Sequence, residues 1–197
     1  MHNIQVDLDT VRPRKPQRVL PEILSLQEVK TLLHKIENVK HKAMLTTIYA
    51  LGLRSGELIN LEIKNVDGDR NMIFIKHAKG RKDRIVPFPE SLKPFLRSYY
   101  KAYRPQKYLF EGQKGGKYTP TSLRSVFNKA KKRAAITKNV TLHSLRHAYA
   151  THLLDNGTDL RRIQELLGHS TIKTTMIYTH VSKRNILETP SPLDFLP

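Results

Sequence analysis

Cysteine is absent from the 197 residues. That absence excludes a disulfide framework, a thiolate zinc site and a cysteine nucleophile. Long apolar runs are missing too. No stretch approaches the roughly 18 apolar residues of a membrane span, and residues 1–25 hold no apolar core of the kind a secretory signal carries. The expectation is a soluble, cytoplasmic protein with no membrane partner. Acidic residues are scarce: 17 Asp and Glu face 35 Lys and Arg, a net charge of +18. An ordinary solvated surface does not need that imbalance. A field of this sign favours polyanions, and nucleic acid is the commonest of them. Nor do the carboxylates gather into a cluster of the kind that holds Mg²⁺, so neither a metal nor a cofactor is expected.

What is present suffices for one domain with a real core, since 39% of the residues are hydrophobic. Residues 1–21 carry prolines and basic side chains and read as a linker arm. Ser25 opens a helix, because SLQE matches a capping box. A second helix runs through HKAMLTTIYALGL to Gly52, and a short one follows in RSGELIN. Alternation in NMIFIKH and DRIVPF predicts two strands joined by the basic turn AKGRK, and LEIKNVDGD supplies a third. Helices return in ESLKPFLRSYYKAY and TPTSLRSVFNKAKKRAAI. Residues 141–157 read as one amphipathic helix crowded with His143, Arg146, His147 and His152. The helical stretches TDLRRIQELLG and STIKTTMIYTHV each open on Thr or Ser. The expected fold is α+β and mostly α-helical, with a small three-stranded antiparallel sheet.

Singly, the polar residues of these segments have plain explanations. Arg54 pairs with Glu57 one turn on, Lys79 is turn chemistry, and His169 suits a helix C-terminus. Together they match a harder task. Cleaving a phosphodiester without a metal needs a nucleophile, cations on the non-bridging oxygens, and an acid for the leaving oxygen. Arg54, Arg146, Lys79, His143, His169 and Tyr178 form a complete set for it. Two rival schemes compete with it. A helix-turn-helix-like DNA-binding module without catalysis explains the charge and the turn at Gly168, but leaves Arg54, Lys79 and Tyr178 idle. A metallohydrolase uses the i, i+4 spacing of His143 and His147 but lacks the glutamate of HExxH.

The strings GLRSGEL, KGRKDRIVP, LHSLRHAYATHLL and LLGHSTIKTTMIYTHV resemble the boxes of the tyrosine recombinase (phage integrase, Xer-like) family. The resemblance covers residues 22–183, leaving 184–197 as a C-terminal tail. It implies a catalytic domain that breaks and rejoins DNA through a 3′-phosphotyrosyl bond, without cofactor, metal or ATP. Residue by residue, Arg54 and Arg146 clamp the phosphate and Glu57 orients Arg54. Lys79 is the acid for the 5′-oxygen, His143 and Arg146 contact the phosphate and handle protons, and His169 donates to a non-bridging oxygen. Tyr178 is the nucleophile. His147 and His152 have no such match and are read as structural. Family members also carry an N-terminal core-binding domain. This chain starts at the interdomain linker, so a catalytic-domain fragment is expected. The absence of an inserted helix between Phe110 and His143 favours a Xer-like or mobile-element integrase over an integron type. Double-stranded DNA is the implied partner. A homotetramer is expected on DNA, with a monomer open for the free chain. The apolar residues of the tail allow docking on a neighbouring protomer or on their own core. Arg124, Lys129, Lys131, Lys132 and Arg133 are assigned to DNA-backbone contact, because the run from 121 to 142 holds no acid, and Arg81 and Lys82 of the basic turn are assigned with them.

Overall fold

The computed structural model describes residues 22–76 and 83–180. The arm 1–21, the turn carrying Lys79, Arg81 and Lys82, and the tail beyond 180 lie outside them. Helix α1 (Leu26–His34) starts at Ser25, whose side chain and that of Glu28 cap each other's backbone N–H. Helix α2 (Val39–Leu51) ends at Gly52 in the left-handed region, φ 60°. That glycine is required. A Cβ there would stand 2.5 Å from the Tyr149 ring as well as taking a positive φ. Helix α3 (Ser55–Asn60) follows directly.

Strands β1 (Val66–Asp67), β2 (Met72–Ile75) and β3 (Arg84–Pro87) form the expected antiparallel sheet in the order β1-β2-β3. Ile73 pairs with Val86, and both are buried on the inner face. Helices α4 (Lys93–Tyr103) and α5 (Pro120–Arg133) come next. The main core joins α1, α2, the sheet, α4, α5 and the start of α6 (Ser144–Asp155).

Three local expectations change. Helix α6 begins three residues after Thr141, with His143 at its N-cap. It is not amphipathic either: it buries Leu145, Arg146, Ala148, Ala150, Thr151 and His152 around its circumference, because α1, α2 and α7 (Leu160–Leu167) all pack on it. Helix α7 is capped by Asp159, not Thr158; the carboxylate accepts from the N–H groups of Arg161 and Arg162. The final segment is helix α8 (Ile172–Thr175) followed by a 3₁₀ stretch, Met176–His180. Four residues of α-helix cannot serve as a recognition helix in a groove, so the helix-turn-helix-like scheme loses its second element. A satellite cluster of Ala150, Ile163, Leu167 and Tyr178 holds this last segment on α6 and α7.

Candidate active site

The site is organised by one carboxylate. Glu57 sits in the first turn of α3, where its Oε2 accepts the backbone N–H of Arg54 at 2.9 Å and its Oε1 accepts from the Arg54 guanidinium at 2.8 Å. Arg84, at the start of β3, donates to both oxygens, at 3.0 and 2.9 Å. Arg146 approaches from α6, 3.6 Å from Oε2. Burial alone would raise the Glu57 pKa. The Arg84 hydrogen bonds and charge, the Arg54 N–H and the Arg146 charge outweigh it and hold the carboxyl at about 2.

Arg146 is the deepest of the three guanidiniums, with 1% of its surface exposed. It donates to the carbonyls of Gly52 and Leu167, both at 2.6 Å. Those oxygens close α2 and α7, so the partial negative ends of two helices face the guanidinium. Burial, then the nearby Arg54 charge, press its pKa down to about 9, which leaves it charged at neutral pH. Arg84 adds a bond from Nε to the Leu166 carbonyl at 2.7 Å. The C-terminal end of α7 therefore accepts from two arginines at once.

Tyr178 is buried, and its hydroxyl lies 3.2 Å from Nδ1 of His147. Burial raises the phenol pKa, and the Arg146 and Arg54 charges offset part of the rise. His143, at the start of α6, stands edge-on to His147 with ring centroids 4.5 Å apart. Desolvation, then Arg146 and Arg54, lower the His143 pKa. His169 follows Gly168, which turns the chain at φ 62°, and its Nδ1 lies 2.9 Å from the Thr175 hydroxyl. A cleft of about 390 Å³ opens beside His143, lined also by Ser55, Arg124, Thr141 and Leu142. His143 is exposed at this cleft, whereas Glu57, Arg146 and Tyr178 are buried. Among the described residues, no group of three or more His, Asp or Glu converges as metal ligands do.

Guanidiniums that outnumber their carboxylate beside a tyrosine hydroxyl form a receptor for an oxyanion with a nucleophile next to it. The sequence match agrees with that arrangement: residues 22–185 fit the model of the phage integrase family. The chain belongs to the phage integrase family. It is 42% identical over 190 residues to the tyrosine recombinase XerD of Staphylococcus saprophyticus, covering 87% of this chain and 62% of that protein. The structure superposes on the crystal structure of XerA recombinase with a TM-score of 0.77 at 36% identity, over 84% of this chain and 62% of that one. It also superposes on XerH bound to its palindromic difH substrate in a post-cleavage complex, with a TM-score of 0.75 at 29% identity, over 84% of this chain and 51% of XerH. The fold is that of a tyrosine recombinase catalytic domain, and the chain spans about three-fifths of the length of XerD and XerA.

Within this family member, Arg54, Glu57, His143, Arg146 and Tyr178 come together around one site. His169 is anchored to Thr175, three residues before Tyr178. Lys79 lies outside the described residues. Two residues of the cluster lie outside the sequence expectations. Arg84, expected only as part of a strand, grips Glu57. His147, expected to be structural, contacts the Tyr178 hydroxyl. His152, by contrast, bonds the Tyr49 hydroxyl at 2.9 Å on another side of α6.

The Glu57 cluster has a measurable pH signature. Glu57 is held near 2 in the fold against an ordinary value of 4.5. Its contribution is therefore fully present above pH 4.5 and is lost as the pH falls towards 2. A shift of that size corresponds to about 3 kcal/mol. Denaturant titrations at pH 5 and pH 2.5 should show the wild type losing more stability than Glu57→Gln, by about 2 kcal/mol, because part of the contribution remains at pH 2.5. Equal losses in the two proteins would show that the carboxylate is not held low.

Proposed function

We propose that this chain is the catalytic part of a site-specific DNA recombinase that breaks and rejoins strands through a covalent 3′-phosphotyrosyl intermediate. The observation that carries the proposal is the Glu57 cluster, which aligns Arg54 and Arg146 beside the Tyr178 hydroxyl. The two guanidiniums hold the non-bridging oxygens of the scissile phosphate as charge builds on them. His143, at the rim of the open cleft, and His169 add donors. Lys79, between β2 and β3, protonates the departing 5′-oxygen. The phosphotyrosyl bond conserves the energy of the phosphodiester, so a free 5′-hydroxyl reverses the step without ATP.

The test is a duplex nicked just beyond the cleavage point, so that the 5′-hydroxyl fragment diffuses away. Incubation with the chain should leave a denaturant-resistant protein–DNA adduct linked through a 3′-phosphate. DNA binding without any adduct would favour a binding module instead.

Double-stranded DNA is the proposed partner, with four copies assembling on paired sites, in the cytoplasm where the DNA lies. Helix α5 refines its basic contacts. At about 100° per residue, Arg124 and Lys131 fall on one side of the helix, and Arg133 lies about 180° from Arg124. Arg124 lines the open cleft with His143. Arg133 pairs with Glu37 at 3.4 Å, both side chains more than half exposed, and Lys129 shares that edge. Replacing Arg124 and Lys131 by Gln should weaken binding on any sequence and reduce the slope of log affinity against log salt by about 2. The same change at Lys129 and Arg133 should alter it less. Equal slopes for both pairs would assign the basic run to a solvated surface.

A further inference from the structure

The Tyr178 hydroxyl needs a destination for its proton, and the residue beside it is one the family resemblance had left out. His147 follows Arg146 on α6 and points at the 3₁₀ stretch that carries Tyr178. Its Nδ1 lies 3.2 Å from the phenolic oxygen, and the two rings are 5.7 Å apart, tilted by 56°. His143, one helical turn earlier, meets its ring edge-on at 86°. His147 is thus fixed from both sides, with one nitrogen aimed at the proposed nucleophile.

We propose that His147 is the proton acceptor for Tyr178, an inference that rests on the recombinase reading above. As the phenolic oxygen attacks phosphorus, the Oη–H bond breaks and its proton passes to Nδ1 of His147, while the Oη–P bond forms. The P–O5′ bond breaks with its electron pair on the 5′-oxygen, which takes a proton from the acid on the leaving side. His147 holds the tyrosine's proton as an imidazolium until the reverse reaction returns it.

The surroundings set the direction of the hydrogen bond. Burial, then His143 and Arg146, lower the His147 pKa to about 4, so the ring is neutral at neutral pH. A neutral imidazole has one donor and one acceptor nitrogen. The phenol keeps its proton, so Tyr178 donates and Nδ1 accepts, with the ring proton on Nε2. The same cations make the acceptor conditional. With the site empty, an imidazolium here would stand beside Arg146 and His143, and His143 in turn feels Arg54 and Glu57 at the start of α3. A phosphodiester seated among those groups adds negative charge and raises the proton affinity of His147. The nucleophile is therefore activated by the substrate it attacks.

Two measurements on the full chain test this. In single-turnover cleavage of the nicked duplex, His147→Asn keeps an oxygen near the position of Nδ1 but cannot take a proton. Adduct formation should slow on the order of 10²-fold or more, with DNA affinity and melting temperature nearly unchanged and the acid limb of the pH–rate profile gone. Added imidazole should restore part of the rate to His147→Gly, in proportion to its free-base concentration. A rate within threefold of wild type for His147→Asn, or a retained acid limb, overturns the inference. Tyr178→Phe is the control for the underlying reading: adducts from that variant would refute the nucleophile itself. The second measurement needs no activity. In ¹⁵N-histidine spectra at pH 7, His147 should be neutral with its proton on Nε2, and its Nδ1 resonance should move in Tyr178→Phe. A proton on Nδ1 overturns the inference whatever the cleavage assay shows.

Discussion

Replacing Tyr178 by Phe should abolish covalent adducts on the nicked duplex while leaving DNA affinity intact. The substitution removes one oxygen from a side chain that is 1% exposed and keeps the ring that fills the satellite cluster with Ala150, Ile163 and Leu167. The structural cost is one hydrogen bond to His147, about 1 kcal/mol. The melting temperature should therefore change little, and any loss of chemistry can be assigned to the hydroxyl. Tyr149 is the other phenol that feels the Arg84 and Arg146 charges, so adducts surviving in Tyr178→Phe would point to it first. Gel analysis under denaturing conditions reads the result directly. Adducts at a tenth of the wild-type yield or more would mean that another group attacks phosphorus.

Arg146→Lys should lower the cleavage rate on the order of 10²–10³-fold, the scale of one lost transition-state donor. A lysine cannot replace the guanidinium, which spans two carbonyls at 2.6 Å while facing Glu57 and the phosphate position. The same change strands one or both of those buried carbonyls, at about 1–3 kcal/mol each, so the melting temperature should fall as well. Arg54→Lys separates the two effects. Its side chain is 26% exposed, and its guanidinium pairs with Glu57 rather than with buried carbonyls. It should lose activity on the same scale with a much smaller loss of stability. Near-full cleavage by either lysine variant would remove the clamp from the mechanism, and equal melting shifts would contradict the different anchoring of the two arginines.

The parts of this architecture that were legible in the sequence are those written in local chemistry. The Ser25 capping box, the glycine ending α2 and the alternation of β2 and β3 each depend on residues within a few positions of one another. The pairing of Arg54 with Glu57 is also local, since i and i+3 share a helix face. What escaped is carried by long-range geometry. Strand alternation tells which residues of DRIVPF share a face. It does not tell that the Arg84 guanidinium reaches back 27 positions to Glu57. His147 has the same history. A histidine on a helix reads as core unless one knows that residue 178 folds against it, 31 positions later. Helix α6 departs from the amphipathic expectation because α1, α2 and α7 enclose it from sides that no single-helix pattern reveals.

The separate cluster around Tyr178 has a consequence for motion. The arginine cluster and the tyrosine are held by different contacts that meet at Leu167, whose carbonyl accepts from Arg146 and whose side chain packs with Tyr178. The arginines are anchored by Glu57 and by the carbonyl ends of α2 and α7, whereas the tyrosine rides on four residues of α-helix and a 3₁₀ stretch. Releasing that short segment exposes a buried phenol at far less cost than unfolding the domain, and it leaves the oxyanion receptor standing. On the recombinase reading, opening of that segment would move the Tyr178 hydroxyl while the bonds of Glu57 to Arg54 and Arg84 stay in place.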